Sequence, residues 1–229
     1  MKKIKNLILR AKKNDLYAKK RLAFTYYQNQ DYKNALFWWN QALAQGDKAA
    51  HFNIGVCYHE GWGIKKDFSK AFKNFNECIK FKKNRLYADA LYTLGLMYIN
   101  GEATKKNQPR GIELIKEASE NNNSLATSYL ATILNPNTGI LKKKYADAKK
   151  SFQFHLKNAD LGLAISQFEV GRAYLKGIGT SKNMKLAYQY LLLAFKNKNK
   201  KQHGMTNEQF EFIKKIMKKY YPNLNKKIK

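Results

Sequence analysis

The stretch Ala49-Ala50-His51-Phe52-Asn53-Ile54-Gly55-Val56-Cys57-Tyr58-His59-Glu60-Gly61-Trp62-Gly63-Ile64-Lys65-Lys66-Asp67 decides the fold, because the chain writes the same unit about five times. The slot of Gly55 is held elsewhere by Ala23, Gly95, Ala131 and Gly171. The residue before it is Leu22, Ile54, Leu94, Leu130 or Val170, and the residue three after it is Tyr26, Tyr58, Tyr98, Leu134 or Tyr174. The copies follow one another at 32, 40, 36 and 40 residues. A period in that range denotes small helical units stacked in an array, each burying its apolar face against its neighbours.

Each unit reads as a helix, a loop and a second helix. A small residue recurs in the second helices at Ala35, Ala71, Gly111, Ala148 and Ala187. Seven residues later comes another packing slot, held by Ala42, Cys78, Ala118, His155 and Ala194. Two turns of helix separate the slots, so both lie on one face. Gly61-Trp62-Gly63 and Gly177-Ile178-Gly179 supply left-handed backbone where first helices end. Asp31, Asp67, Asn107 and Asn183 stand where second helices should begin, as acceptors for free N–H groups, and Pro109 suits a first turn. In the fourth unit Asn135-Pro136 predicts an early stop, because the residue before proline avoids helical backbone.

The expected fold is all-α: a stacked array of about five helix-loop-helix repeats over 15–197. An N-terminal capping helix fills 1–14, and a basic linker with an amphipathic capping helix fills 198–229. Thr206 is the expected cap of that last helix, which carries Phe210, Ile213, Ile216, Met217 and Tyr220 and should end before Pro222.

The stretch Asn34-Ala35-Leu36-Phe37-Trp38-Trp39-Asn40-Gln41-Ala42-Leu43-Ala44-Gln45-Gly46, running on through Asp67, resembles the Sel-one-like repeat (SLR) family, relatives of the tetratricopeptide repeat with a longer loop. The resemblance weakens in the fourth unit, where Ala131 and Leu134 replace Gly and Tyr. It implies a right-handed α-solenoid whose first helices line a concave groove, and adaptor roles in scaffolding, signalling, bacterial virulence and host contact. Toxin neutralisation falls within the same conjecture. Carrying the tetratricopeptide register over places Lys20, Phe24, Tyr27, Phe52, His59, Tyr92, Phe168 and Arg172 in the groove as partner-binding residues.

Net charge is +28, from 44 Lys and Arg against 16 Asp and Glu, with only Arg10, Arg21, Arg85, Arg110 and Arg172 as arginines. Such a balance attracts acidic proteins, nucleic acid or anionic surfaces. The Lys and Asn excess also fits an A/T-rich genome. Arginine scarcity argues against sequence-specific base reading. Lys65, Lys66, Lys105, Lys106, Lys142, Lys143, Lys144 and Lys182 recur in the inter-helix loops and would form a basic ridge. Residues 196–229 add 11 Lys against 2 Glu.

No chemistry-bearing constellation stands out. Cys57 and Cys78 lack metal spacing and read as a reduced, buried pair. His51 and His59 lie eight residues apart with no carboxylate placed to orient either, and His155 reads as structural. No enzyme, metal or cofactor is expected. The expected function is a monomeric adaptor that holds an acidic protein partner in its groove; the alternative is unspecific binding of nucleic acid or an anionic surface by the lysines. A short basic N-terminus without a long apolar run points to the cytoplasm or to signal-less export.

Overall fold

A computed structural model describes residues 2–83, 85–136, 138, 147–197 and 205–220, with only the backbone of Lys2 and Lys3. Its helices are α1 (Lys2–Lys12), α2 (Leu16–Gln28), α3 (Tyr32–Ala44), α4 (Ala50–Glu60), α5 (Phe68–Ile79), α6 (Tyr87–Asn100), α7 (Gln108–Glu120), α8 (Ser124–Ile133), α9 (Ala148–Asp160), α10 (Ala164–Lys176), α11 (Met184–Lys196) and α12 (Asn207–Tyr220). No strand occurs among the described residues. The chain forms two compact units, Met1–Ala126 and Thr127–Lys229. In the first, α1 packs on α2, and the pairs α2/α3, α4/α5 and α6/α7 are joined by α3 on α4 and α5 on α6. In the second, α10 packs on both α9 and α11, and α11 meets α12.

The slots read from the sequence are the close-approach points of these helices. Ala35, Ala42, Ala71, Cys78, Ala118 and Ala194 are fully buried, and Ala187 nearly so. A Cβ on Gly55 would fall 2.7 Å from Cε1 of Phe75, and one on Gly171 would fall 2.7 Å from Cγ of Leu191. α6 and α7 meet backbone to backbone: a Cβ on Gly95 would lie 2.8 Å from the Gly111 carbonyl oxygen, and one on Gly111 2.6 Å from that of Gly95. Small residues at the crossing and large ones around it give dense packing.

The capping expectations hold. Asp31, Asp67, Asn107 and Asn183 accept from the backbone N–H of Asn34, Lys70, Arg110 and Leu186. Asp15 and Asp147 do the same for α2 and α9. Pro109 occupies the first turn of α7. Thr206 and Gln209 bond reciprocally at the start of α12, the capping-box arrangement. α8 stops at Ile133, before Asn135-Pro136, as the proline predicts.

Beneath the caps lies a main-chain bond common to all five repeats. The N–H of Asp31, Asp67, Asn107, Asp147 and Asn183 donates to the carbonyl of Tyr26, Tyr58, Tyr98, Leu134 and Tyr174, at 2.8–2.9 Å. The loops themselves run through left-handed backbone, φ 78° and 70° at Gly61 and Gly63 and 73° and 71° at Gly177 and Gly179. In the third repeat Gly101 and Ala103 take the two positions, Ala103 at φ 58°. Gly63 and Gly179 press onto the starts of the preceding second helices; a Cβ on Gly63 would fall 2.5 Å from the Tyr32 backbone.

The termini of the described chain cover core. Ala11 of α1 joins Ala18 and Leu22, flanked by Ile4, Leu7 and Ile8. Ile213 and Met217 of α12 join Ala164, Phe168, Leu191 and Ala194. Both capping helices are as expected; Lys198–Lys201, Pro222 and the basic tail lie outside the described residues.

Candidate functional site

The eight groove positions separate into three kinds. Lys20 and Phe24 lie on the open side of α2: Lys20 Nζ is 3.1 Å from Asp47 Oδ1, and Phe24 is 47% exposed. Phe52 on α4 is half-buried, its ring 5.7 Å from that of Phe75, and Tyr92 on α6 is half-buried. These four remain on the surface of the first unit.

Two of the positions pack against other segments. Tyr27 turns into the junction of the first two repeats, where its ring meets Tyr32, Trp39 and Trp62 at 5.7–5.8 Å and Trp62 stacks on Tyr32 at 4.9 Å. Burial raises its phenol pKa. Phe168 is 3% exposed: Phe212 of α12 covers it edge-on, so the capping helix occupies the place a partner would take.

His59 also departs from expectation. Its Nδ1 lies 2.6 Å from Glu60 Oε1 and its Nε2 2.8 Å from Glu102 Oε2, with its ring edge-on to Phe68. Two carboxylates therefore orient the ring, one of them 43 residues away in the next repeat's loop. Loop-length sequence separation hid Glu102; the signal was its place after Gly101, equivalent to Trp62. The two carboxylates occupy different ring nitrogens and do not converge on one point. Among the described residues no group of three or more His, Cys, Asp or Glu could hold a metal ion.

Arg172 on α10 is held twice, by Glu169 at 2.9 and 3.1 Å and above the Phe168 ring at 5.6 Å. It lines an open cleft of about 440 Å³ in the second unit, together with Ser128, Thr132, Asn135, His155, Ser166 and Glu169. His155 occupies the slot that is Ala or Cys in the other repeats, and its Nδ1 is buried with no hydrogen-bond partner among the described residues. Burial drives the imidazole down to about 4, helped by Arg172, while a hydrogen bond to the Ala131 carbonyl pulls the other way. His155 is thus neutral at pH 7. The sequence marks it only as the odd member of its slot.

Lys65, Lys66, Lys105, Lys106 and Lys182 are exposed in their loops, Lys66 over the Phe68 ring at 5.4 Å. Lys142, Lys143 and Lys144 lie outside the described residues. Most carboxylates are engaged inside the chain: four Asp cap helices, Glu60 and Glu102 hold His59, Glu117 accepts from the Tyr87 hydroxyl, Asp89 accepts from Asn123 and Glu169 holds Arg172. Cys57 and Cys78 are fully buried and form no disulfide. No described helix is long and apolar enough to cross a membrane.

A family model described as the Sel1 repeat matches residues 25–47, 48–77, 88–123 and 164–199, together more than half of the chain. The chain belongs to the Sel1 repeat family. The unmatched stretch holds α8 and α9, the repeat whose first helix ends early. Among curated proteins, the chain is 25% identical over 154 residues to DAP3-binding cell death enhancer 1 of Rattus norvegicus, covering 67% of this chain and 29% of that protein. It is 30% identical over 100 residues to protein sel-1 homolog 2 of Homo sapiens, covering 44% of this chain and 13% of that protein. The chain therefore spans less than a third of either relative. Among solved structures, a protective antigen of uropathogenic Escherichia coli strains with an SLR fold superposes with a TM-score of 0.75 at 21% identity, over 91% of this chain and 42% of that one. A Sel1 repeat protein from Oxalobacter formigenes superposes with a TM-score of 0.65 at 22% identity, over 82% of this chain and 75% of that one. The fold is the SLR fold, of the α-solenoid class, and repeats of this family mediate protein–protein interaction.

Proposed function

We propose that the chain is a non-catalytic interaction module that binds an acidic segment of a protein partner on the first-helix face of its first unit. One observation carries this reading: Phe24 stands 47% exposed one helical turn from Lys20, and α4 and α6 hold half-buried Phe52 and Tyr92 at the register position of Lys20. A large exposed aromatic suits an anchor residue, and Lys20, paired with Asp47 at 3.1 Å, supplies a cation for which an acidic partner segment would compete. The charge distribution supports the same partner. Internal engagement of the carboxylates leaves the loop lysines as the dominant outward charge, and such a field steers anionic partners. The partner's chemistry rests on this chain's own surface; the solved relatives support the fold.

Affinity capture with the full chain, followed by Phe24→Ser with Lys20→Glu, tests the reading. Loss of the captured partner at unchanged thermal stability is the expected result. Retention by the double variant overturns the assignment of the face. The same exposed lysines favour a second reading, an unspecific polyanion site. Binding of homopolymeric RNA or anionic vesicles at low salt, falling steeply with added salt and indifferent to the Phe24 change, would replace the first reading by the second.

A further inference from the structure

The exposed apolar residues of the first unit are not scattered. Its large apolar side chains that stand exposed, among the described residues, are Leu9, Tyr17, Phe24, Phe37, Phe81 and Leu125. Four of these six lie at the turns between successive helix pairs: Leu9 in the last turn of α1, Tyr17 in the first turn of α2, Phe81 just beyond α5 and Leu125 in the first turn of α8. Side-chain contacts tie the turns into one edge. Gln45 Nε2 donates to the Asn14 carbonyl at 2.6 Å, joining the α1–α2 turn to the α3–α4 turn. Lys48 Nζ lies 5.8 Å from the centre of the Phe81 ring, joining that turn to the α5–α6 turn. Asn123 Nδ2 donates to Asp89 Oδ1 at 2.7 Å, joining the α7–α8 turn to the start of α6.

The same turns carry uncompensated positive charge. Lys12, Lys13, Lys48, Lys82, Lys83 and Arg85 are exposed there and form no ion pair among the described residues. The acidic groups nearby are engaged: Asp15 with Arg10, Asp47 with Lys20, Glu77 with Lys80 and Asp89 with Asn123. Exposed Glu120 at the end of α7 is left against the six cations. The loops inside the repeats also carry lysines, but there Tyr27, Trp62 and Ile64 pack onto core.

We propose that this edge of inter-repeat turns docks on an anionic lipid bilayer. The lysines and Arg85 meet the headgroups, while Leu9, Tyr17, Phe81 and Leu125 enter the interface. The edge uses residues other than Phe24, Phe52 and Tyr92, so it adds a second surface to the protein-binding face. Basic groups are drawn to an anionic leaflet, and that attraction fades with salt. Apolar side chains that reach the acyl boundary add a contribution that salt does not screen. Single-stranded nucleic acid would need ring faces on which bases stack, and two of the four side chains are leucines. A membrane interface takes aliphatic and aromatic side chains alike.

Co-sedimentation of the full chain with vesicles of mixed phosphatidylcholine and phosphatidylserine tests the edge, with phosphatidylcholine vesicles as control. Binding to the mixed vesicles that persists at physiological salt is the expected result. It should weaken by about tenfold in Tyr17→Ser with Phe81→Ser and Leu125→Ser, and by about tenfold or more in Lys82→Glu with Lys83→Glu. All five side chains are exposed, so both variants should keep the wild-type thermal stability. A second readout needs no loss of binding. Leu125→Cys carrying an environment-sensitive fluorophore should brighten and shift to the blue on the mixed vesicles, and the same label at Phe24→Cys should not. No binding to the mixed vesicles, equal binding by the serine variant, or an equal response at the two labelled positions overturns the edge. Homopolymeric RNA bound in preference to the vesicles, with the same dependence on Tyr17 and Phe81, overturns the bilayer as partner. Vesicle binding that salt abolishes alike in the wild type and the serine variant is attraction by lysines alone; it too overturns the edge and favours the polyanion reading. Every other failure of the edge leaves capture of a protein partner through Phe24 standing.

Discussion

The backbone N–H of Asp147 donates to the Leu134 carbonyl at 2.8 Å, closing the loop of the one repeat that the family model does not match. Tyrosine holds that position in the other four repeats. The bond is indifferent to the substitution because it joins main chain to main chain. The Asp147 side chain adds a separate contribution by accepting from Lys150 N at 2.9 Å.

Asp147→Ala is therefore expected to remove the cap and keep the loop bond, costing about 1 kcal/mol in chemical denaturation at pH 7. The hydrogen bond from Lys150 N holds the Asp147 carboxyl below its usual range. A depressed carboxyl contributes fully above the unfolded value of 3.8, and its contribution fades as pH falls through the lower folded value. Equal wild-type and variant stabilities at pH 7 would contradict the capping role.

His155 works in the opposite protonation sense. Its folded pKa is lowered from 6.5 to about 4, so the unfolded chain binds the proton more tightly between those values. Its contribution is unchanged above the unfolded value and turns destabilising as pH falls toward 4. Among the described residues, the charged groups facing it are Glu169 and Arg172 of α10. Between pH 7.5 and 4.5 the wild type should lose on the order of 2–3 kcal/mol more stability than His155→Ala. Parallel pH profiles for the two proteins would refute the shift.

Burial pushes the Cys57 thiol up to about 12 and the Cys78 thiol up to about 11. The thiolate is the reactive form, so both cysteines should resist a thiol reagent at pH 8 in the folded protein. Both should label rapidly in denaturant. Fast labelling of either under native conditions would show that the interior of the second repeat opens readily.

Gly95 and Gly111 cross backbone to backbone, whereas Gly55 faces the ring of Phe75. A main-chain carbonyl cannot move aside as a side chain can. Gly95→Ala should cost about 2–3 kcal/mol, more than Gly55→Ala despite the helix propensity gained by both. Thermal unfolding of the two variants gives the comparison, and a smaller loss for Gly95→Ala would reverse the argument.

Local sequence carried the helices, their caps, the early end of α8 and the small residues at the crossings. Each depends on a residue type acting over one or two turns, or on a slot repeated at a fixed interval. The candidate surfaces were legible in part. Lys20, Phe24, Phe52 and Tyr92 are exposed or half-buried on their helices, and a helix face follows from spacing alone. What packs on Tyr27 and Phe168 was not legible, because that is decided by other segments: Trp62 of the next repeat in one case and Phe212 of the last helix in the other.

The amino-acid sequence by itself determined that this chain is a stack of helix-loop-helix units with an uncompensated lysine surface, because period, slot and charge are properties of the string. Only the tertiary structure decided that Phe212 covers Phe168, that Glu102 reaches His59 across a repeat, and that a cleft opens beside His155. Those outcomes depend on distances between residues far apart in the chain, which packing sets and spacing does not encode.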